Sequence, residues 1–160
     1  RGDLALGGTP HCWRAGSPAS AFSRGIIAMP FVHTFQSRDF SQERVEHLGD
    51  AVHQALMDAF GVPSDDLFQA FSARTTGCQL RVTPAFLGIR HSADVVIVQI
   101  TYTPGRTVEQ KRTLFAAMSF HAQAMAMAMA NIDPEGFIVN LVEFGRENWS
   151  FGNGLAQLAA

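Results

Sequence analysis

Apolar positions along this chain follow first a strand spacing and then a helical spacing, and the pattern then repeats. Residues 30–37 form an apolar stretch that begins at a proline, which predicts a strand. The next apolar residues recur at helical spacing up to Phe60, behind Ser41 as a suitable N-cap. Gly61 ends this predicted helix, and residues 67–71 form a second apolar strand. The helical apolar face consists of Val45, Leu48, Val52, Leu56 and Ala59.

The second half of the chain has the same order of elements. Residues 95–102 are almost continuously β-branched, which is typical of a central strand buried on both faces. A Pro-Gly turn at 104–105 leads to Thr107, the N-cap counterpart of Ser41, and a second predicted helix follows. Residues 137–142 form the closing strand. The second helix carries Leu114, Met118, His121, Met125 and Met129.

Two tandem β-α-β units of this kind predict an α+β fold. Right-handed crossovers would place the strands in a four-stranded mixed sheet with both helices on one face. The interval from the N-cap to the next turn proline is 27 residues in the second unit and 22 in the first, so an extended helix or loop must absorb the difference. Because nothing in a single chain covers the other face of the sheet, the pattern also predicts an oligomer.

Composition bounds the class of protein. The chain has 160 residues, 47% of them apolar, and a formal charge of −2, which fits one soluble domain with a sizeable core. Basic and acidic residues nearly balance and form no basic run, so no nucleic-acid partner is expected. The Ala/Met run at 122–130 is too short to cross a bilayer, so no membrane partner is expected either.

Cysteine and histidine usage points away from disulfides and metals. Cys12 and Cys78 are the only cysteines, and their wide separation favours two free thiols in a reducing compartment, the cytoplasm. The six histidines show no metal-site spacing. We therefore expect no metal and no cofactor.

The segment 1–29 differs from the rest of the chain, which we treat as one domain over residues 30–160. It is rich in Gly, Ala, Ser and Arg, with Asp3 as its one acidic residue. Three interpretations stay open: sequence upstream of the true start, a targeting peptide, or a genuine arm. If Met29 initiated translation and were removed, Pro30 would carry a free secondary amine; with residues before it, Pro30 is an imide without a proton to exchange.

Several motifs in order resemble the tautomerase superfamily, nearest its malonate semialdehyde decarboxylase branch. The resemblance spans about residues 29–158 and none of 1–28. Single pieces such as Gly-Val-Pro are weak, but the ordered set is fairly specific. The motifs are Met29-Pro30, Phe-Gly-Val-Pro-Ser-Asp-Asp-Leu-Phe-Gln at 60–69, Leu-Gly-Ile at 87–89, Gly-Arg-Thr-Val-Glu-Gln-Lys at 105–111, and Glu-Asn-Trp-Ser-Phe-Gly-Asn-Gly at 147–154.

The resemblance implies catalytic roles by position. Pro30 matches the amino-terminal proline that serves as general base or acid, and Asp66 matches the acid that orients water or the proline. Arg106 matches one of two arginines that hold the substrate carboxylate. Pro104 occupies the place of the other, which weakens the case for decarboxylation and favours plain enol-keto tautomerisation.

Further site residues are implied or remain open. Trp149 and Phe151 match an apolar wall near the site. Phe68 stands where the family has an aromatic hydroxyl, so Tyr102, the only tyrosine, is a candidate to serve instead. Three arginines in or beside segment 72–92 are candidates for the missing second anchor: Arg74, Arg81 and Arg90.

The resemblance therefore implies a cofactor-independent tautomerase, a homotrimer acting on a small 2-oxo or enol carboxylic acid. One alternative keeps the fold but removes CO2 from, or adds water to, a 3-oxo acid. A second is a non-catalytic member whose proline is sealed by the extension. A third is an unrelated α+β module that shares only the pattern.

Overall fold

The computed structural model describes residues 29–92, 94–124 and 132–159. Two helices and a four-stranded mixed sheet make up the fold, as the pattern predicts. Strand β1 (Phe31–Ser37) leads through helix α1 (Gln42–Phe60) to β2 (Phe68–Arg74), and a small hairpin follows, made of β3 (Ala85–Phe86) and β4 (Ile89–Arg90). Strand β5 (Val96–Tyr102), helix α2 (Val108–Ala124) and strand β6 (Phe137–Glu143) complete the second unit.

The strand order in the main sheet is β2-β1-β5-β6. Each β-α-β unit pairs its own two strands in parallel, and the two units join through the antiparallel pair β1 and β5. The start of β1 therefore lies beside the start of β2 and the end of β5. Pro30, directly before β1, and the residues directly after β5 therefore lie at this one end of the sheet.

Local sequence signals explain the bounds of the first helix. The side chain of Ser41 accepts a hydrogen bond from the backbone N–H of Arg44 at 3.1 Å, which satisfies one of the helix's free donors. At the other end Gly61 adopts a left-handed conformation with φ 65°, and its N–H reaches the carbonyls of Leu56 and Met57.

The core lies between the helices and one face of the sheet. Leu48, Val52 and Leu56 of α1 and Leu114 and Met118 of α2 are almost fully buried. Each such side chain contributes roughly 1.5–3 kcal/mol relative to an exposed one. The strand residues of this core include Val32, Val96, Val98, Ile100 and Tyr102.

Three features differ from the sequence-based expectation or fall beyond it. Strand β2 continues to Arg74, past the predicted end at residue 71, because Ser72, Ala73 and Arg74 pair with the last residues of β1. The segment expected to be irregular contains the β3–β4 hairpin. The predicted helical positions Met125 and Met129, and the segment 1–28, lie outside the described residues.

Neither of the two described helices packs on the second face of the sheet. Side chains alternate along β1 and β5, so that Phe31, His33 and Phe35 share this face with Ile97 and Gln99. His33 donates or accepts a 2.7 Å hydrogen bond with Ser72 there. No helix among the described residues is long and apolar enough to span a membrane.

Candidate active site

Pro30 lies immediately before β1, buried, at the end of the sheet where the two units meet. Its neighbour Phe31 is paired with Phe68 on one side and with Thr101 on the other. The proline thus sits between the residue that precedes β2 and the last residue of β5. This topology brings together segments that are far apart in the chain.

Asp66 occupies the turn before β2, and its carboxylate reaches the same point. It accepts a hydrogen bond from the backbone N–H of Met29, the residue before Pro30. Met29 is only 8% exposed and has a left-handed backbone with φ 36°, which is uncommon for a side chain of its kind. Two predicted catalytic residues, Pro30 and Asp66, are therefore neighbours.

Burial controls the charge of Asp66. Partial removal from water raises the pKa of this carboxyl above its ordinary value, and the Met29 hydrogen bond and the charge of His53 oppose that shift without cancelling it. A carboxyl with a raised pKa exchanges its proton more readily near neutral pH than an exposed aspartate does.

Arg106 follows β5 in the five-residue segment that leads into α2. Its guanidinium lies over the ring of Phe60, 4.9 Å from the ring centroid. Nε and Nη2 are buried and have no hydrogen-bond partner among the described residues, although the side chain as a whole is partly exposed. Burial also lowers the pKa of Arg106 from its ordinary value, an effect that the nearby Tyr102 opposes.

An arginine with two buried, unpartnered donors is suited to bind an anion. Buried charged donors without a partner are costly, and a bidentate carboxylate is the ligand that satisfies a guanidinium best. Arg106 lies at the same end of the sheet as Pro30 and Asp66, so an anion bound to its buried donors would lie at that end too.

Tyr102 ends β5 and faces the helices rather than open solvent. It is 1% exposed, its ring packs 5.4 Å from that of Phe60, and its hydroxyl donates to Glu143 at 3.1 Å. Burial is the main reason that the pKa of this phenol is raised. The hydroxyl is therefore already committed to a protein acceptor.

Trp149 and Phe151 pack on the helix-free side of the same end of the sheet. The Trp149 ring lies 5.9 Å from Phe31 and 5.4 Å from Phe144, and Phe151 lies 5.6 Å from both Trp149 and Phe68. These aromatic rings form one connected apolar surface that begins at the residue next to Pro30. Such a surface disfavours a charged amine.

Comparisons with known proteins match this arrangement. The family described as tautomerase enzyme matches residues 68–152, which is more than half of the chain. The chain belongs to the tautomerase family. A probable tautomerase of Bacillus subtilis (strain 168), YusQ, is 26% identical over 130 residues, covering 81% of this chain and 98% of the relative.

Two solved structures place the chain near the malonate semialdehyde decarboxylase branch of the tautomerases. The FG41 malonate semialdehyde decarboxylase inhibited by 3-bromopropiolate is 30% identical with a TM-score of 0.70, covering 79% of this chain and 92% of that one. A malonate semialdehyde decarboxylase described with decarboxylase and hydratase activities is 29% identical with a TM-score of 0.70, covering 80% and 95%. The tautomerase superfamily was the resemblance read from the sequence, and it is confirmed.

The three alternative arginines lie far from Pro30 within one tautomerase chain. Arg74 ends β2, opposite Ser37, a strand length of about 20 Å from the start of the sheet. Arg81 lines a cavity that includes Val95, at the start of β5. Arg90 belongs to the β3–β4 hairpin, where its backbone N–H donates to Glu135.

Sequence reasoning missed Phe60, which lies under the Arg106 guanidinium, and Lys111 and Glu143, which bond to each other beside Tyr102. Phe60 has the pattern of a core residue at a helix end, and only the tertiary fold places it under the guanidinium. Glu143 could have been found from the parallel pairing of β5 with β6, which sets it opposite Tyr102. Among the described residues no cluster of histidine, cysteine and carboxylate side chains could hold a metal ion.

Proposed function

We propose that this chain is a cofactor-independent tautomerase that interconverts the keto and enol forms of a small 2-oxo carboxylic acid. Pro30 acts as the general base once it is the amino-terminal residue. One observation carries the proposal: Arg106 lies at the same end of the sheet as Pro30 and Asp66, and its buried Nε and Nη2 have no hydrogen-bond partner among the described residues.

The chemistry needs a base of moderate strength. A free α-amine titrates near 8 in water, and an apolar surrounding disfavours its cation. The aromatic surface that begins at Phe31 supplies such a surrounding. An amine on Pro30 would therefore be substantially unprotonated at neutral pH and able to accept a proton from carbon.

The proposed cycle moves one proton. The Pro30 amine takes a proton from the carbon next to the substrate's carbonyl, and the electron pair of that bond becomes the carbon-carbon double bond of the enolate. Arg106 holds the substrate carboxylate. Asp66 orients either the protonated amine, which passes its proton to the enolate oxygen, or a water molecule that donates to this oxygen and takes the proton from Pro30 in turn, so that the amine is regenerated. The reverse steps regenerate the keto acid, and Trp149 and Phe151 exclude bulk water from the site.

The same proposal includes a homotrimer in a reducing compartment, the cytoplasm. The helix-free face of the sheet supports association, because it exposes Phe68 and Val142. The free, exposed thiol of Cys78 fits a reducing compartment.

A chain expressed from Met29, with the methionine removed and the new terminus verified by intact mass, tests the proposal on phenylenolpyruvate. We expect ketonisation that is lost in Pro30→Ala, and a large rise in KM for Arg106→Met. Arg112→Met, an exposed arginine of α2, is the matched control and should leave KM unchanged. A verified Pro30 terminus without activity would overturn the proposal.

Decarboxylation or hydration of a 3-oxo acid is a second candidate function. The 30% identity to a malonate semialdehyde decarboxylase favours it, whereas Pro104 in the place of a second arginine weakens it. CO2 release from malonate semialdehyde by the same preparation would replace plain tautomerisation with this reaction.

A non-catalytic protein is the third candidate, favoured by the burial of Met29 and its hydrogen bond to Asp66. In that arrangement the residue before Pro30 occupies the acid and the proline nitrogen is an imide. Amino-terminal sequencing of the natively expressed protein decides between the two classes, because any residue retained before Pro30 removes the amine.

A further inference from the structure

Three side chains from three elements meet beside the segment that carries Arg106. Tyr102 at the end of β5 donates to Oε1 of Glu143 at 3.1 Å, and Nζ of Lys111 in α2 donates to the same oxygen at 2.8 Å. The Lys111 ammonium also lies 6.0 Å from the Tyr102 ring centroid. We name this group, formed by Tyr102, Lys111 and Glu143, the Glu143 clasp.

The clasp spans the Arg106 segment. Tyr102 immediately precedes residues 103–107, and Lys111 lies one turn inside α2. Within the segment Gly105 has φ 114°, a conformation that side chains rarely adopt. Without further restraint, a short segment with such a glycine would allow the Arg106 side chain to occupy several positions.

Both ends of the segment are held by other hydrogen bonds as well. The backbone N–H of Phe144 donates to the carbonyl of Tyr102 at 3.0 Å, which extends the β5–β6 pairing past the strand. At the helix end Thr107 and Gln110 bond reciprocally, backbone to side chain, at 2.9 and 3.2 Å. The clasp joins the two ends of the segment at the end of the sheet where β5 and β6 finish.

The charges of the clasp are mutually supported. The Lys111 hydrogen bond lowers the pKa of Glu143, and the Glu143 hydrogen bond raises the pKa of Lys111. Both side chains are partly exposed, and such pairs add little to stability. Glu143 is thus bonded to Lys111 and Tyr102, whereas Nε and Nη2 of Arg106 have no hydrogen-bond partner among the described residues.

We propose that the Glu143 clasp is a positioning device that presents Arg106 to the carboxylate of the substrate. The inference rests on the proposed role of Arg106 as the anchor. A guanidinium already held over Phe60 by a fixed segment loses less freedom on binding, and small displacements of an anchoring group cost much of its binding energy.

Binding of phenylpyruvate, measured by calorimetry on the processed chain, tests the clasp directly. We expect Glu143→Gln and Lys111→Met to raise Kd roughly tenfold, the factor typical of one charge-assisted hydrogen bond. The same two substitutions should not weaken binding of the methyl ester of phenylpyruvate, because the ester offers no carboxylate to Arg106. If a substitution loosened the whole fold instead, binding of both phenylpyruvate and its methyl ester would weaken.

The matched control is Asp94→Asn, the same carboxylate-to-amide change in a pair with Arg44 at 3.3 Å at the other end of the sheet. It should bind phenylpyruvate as the unmodified chain does. In an Arg106→Met background, Glu143→Gln should have no further effect, because the clasp acts only through the arginine.

Each outcome bears on a separate claim. If Arg106→Met binds phenylpyruvate as tightly as the unmodified chain, both the anchor and the clasp are overturned. If Arg106→Met weakens binding but the clasp variants do not, the clasp alone is wrong. A loss from Glu143→Gln that persists without Arg106, or that extends to the ester, also contradicts positioning.

Discussion

The guanidinium of Arg106 lies 4.9 Å above the ring of Phe60. Phe60 ends the helix of the first β-α-β unit, and Arg106 follows the first strand of the second. The contact therefore joins the two units at the end of the sheet that carries Pro30. A buried aromatic ring supports the cation without neutralising it, so the charge stays available to an anion.

Replacing this ring should weaken substrate binding more than turnover. Cation-π contacts contribute about 0.5–2 kcal/mol, so we expect Phe60→Leu to raise KM about twofold to thirtyfold with little change in kcat. Steady-state kinetics with phenylenolpyruvate measures both. Phe40→Leu is the control, since it removes a ring 3.6 Å from the Arg44 guanidinium, away from the site. Equal effects of the two variants would refute a specific role for Phe60.

The ionised carboxylate of Asp66 should lower the free energy of unfolding at neutral pH. Burial raises its pKa, so the folded state favours the protonated acid and the ionised form is destabilising. We expect Asp66→Asn in the full chain to increase the free energy of unfolding at pH 7 by less than about 1 kcal/mol, because the group is half exposed.

The sign of this effect fixes its pH dependence. Stability due to the neutral acid is fully present below the ordinary pKa of 3.8 and is lost as pH rises through the raised value. The difference in the free energy of unfolding between Asp66→Asn and the unmodified chain, measured by urea titration, should therefore become smaller as the pH is lowered toward 4. Asp65→Asn, at the neighbouring position, is the control. If the free-energy difference caused by Asp66→Asn grows at low pH, the raised pKa of Asp66 is wrong.

Gly61 should be replaceable by asparagine more easily than by alanine. Its φ of 65° is left-handed, and its N–H caps the carbonyls of α1. Alanine in this conformation costs about 1 kcal/mol, whereas asparagine tolerates it better. Thermal unfolding of Gly61→Ala and Gly61→Asn measures the difference, and equal melting temperatures would show that the cap does not control the helix end.

A charge on the helix-free face should break the proposed trimer. Ile97 lies on that face near the start of the central strand β5, opposite Phe35. Burying a glutamate there without a partner is costly, so Ile97→Glu should convert trimers to monomers in sedimentation equilibrium. Val108→Glu, an exposed position at the start of α2, should not change the mass. A monomeric unmodified chain would rule the trimer out.

The order of elements was readable from the sequence because each signal is local. Ser41 and Gly61 bound α1 through their own side chain and backbone, and the spacing of Leu48, Val52 and Leu56 requires a helix with one buried face. The end of β2 at Arg74 was not readable, since it depends on how far β1 continues beside it. The β3–β4 hairpin has only two residues in each strand, too few for a periodic pattern.

The candidate site divides in the same way. The sequence by itself determined which residues are candidates for the site, Pro30, Asp66 and Arg106, and the repeated units that carry them. Only the tertiary structure decided that Asp66 contacts the residue before Pro30, that Phe60 lies under the Arg106 guanidinium, and that Tyr102 and Lys111 both bond to Glu143. Those contacts join residues tens of positions apart, and their existence depends on strand register and burial, which no local pattern records.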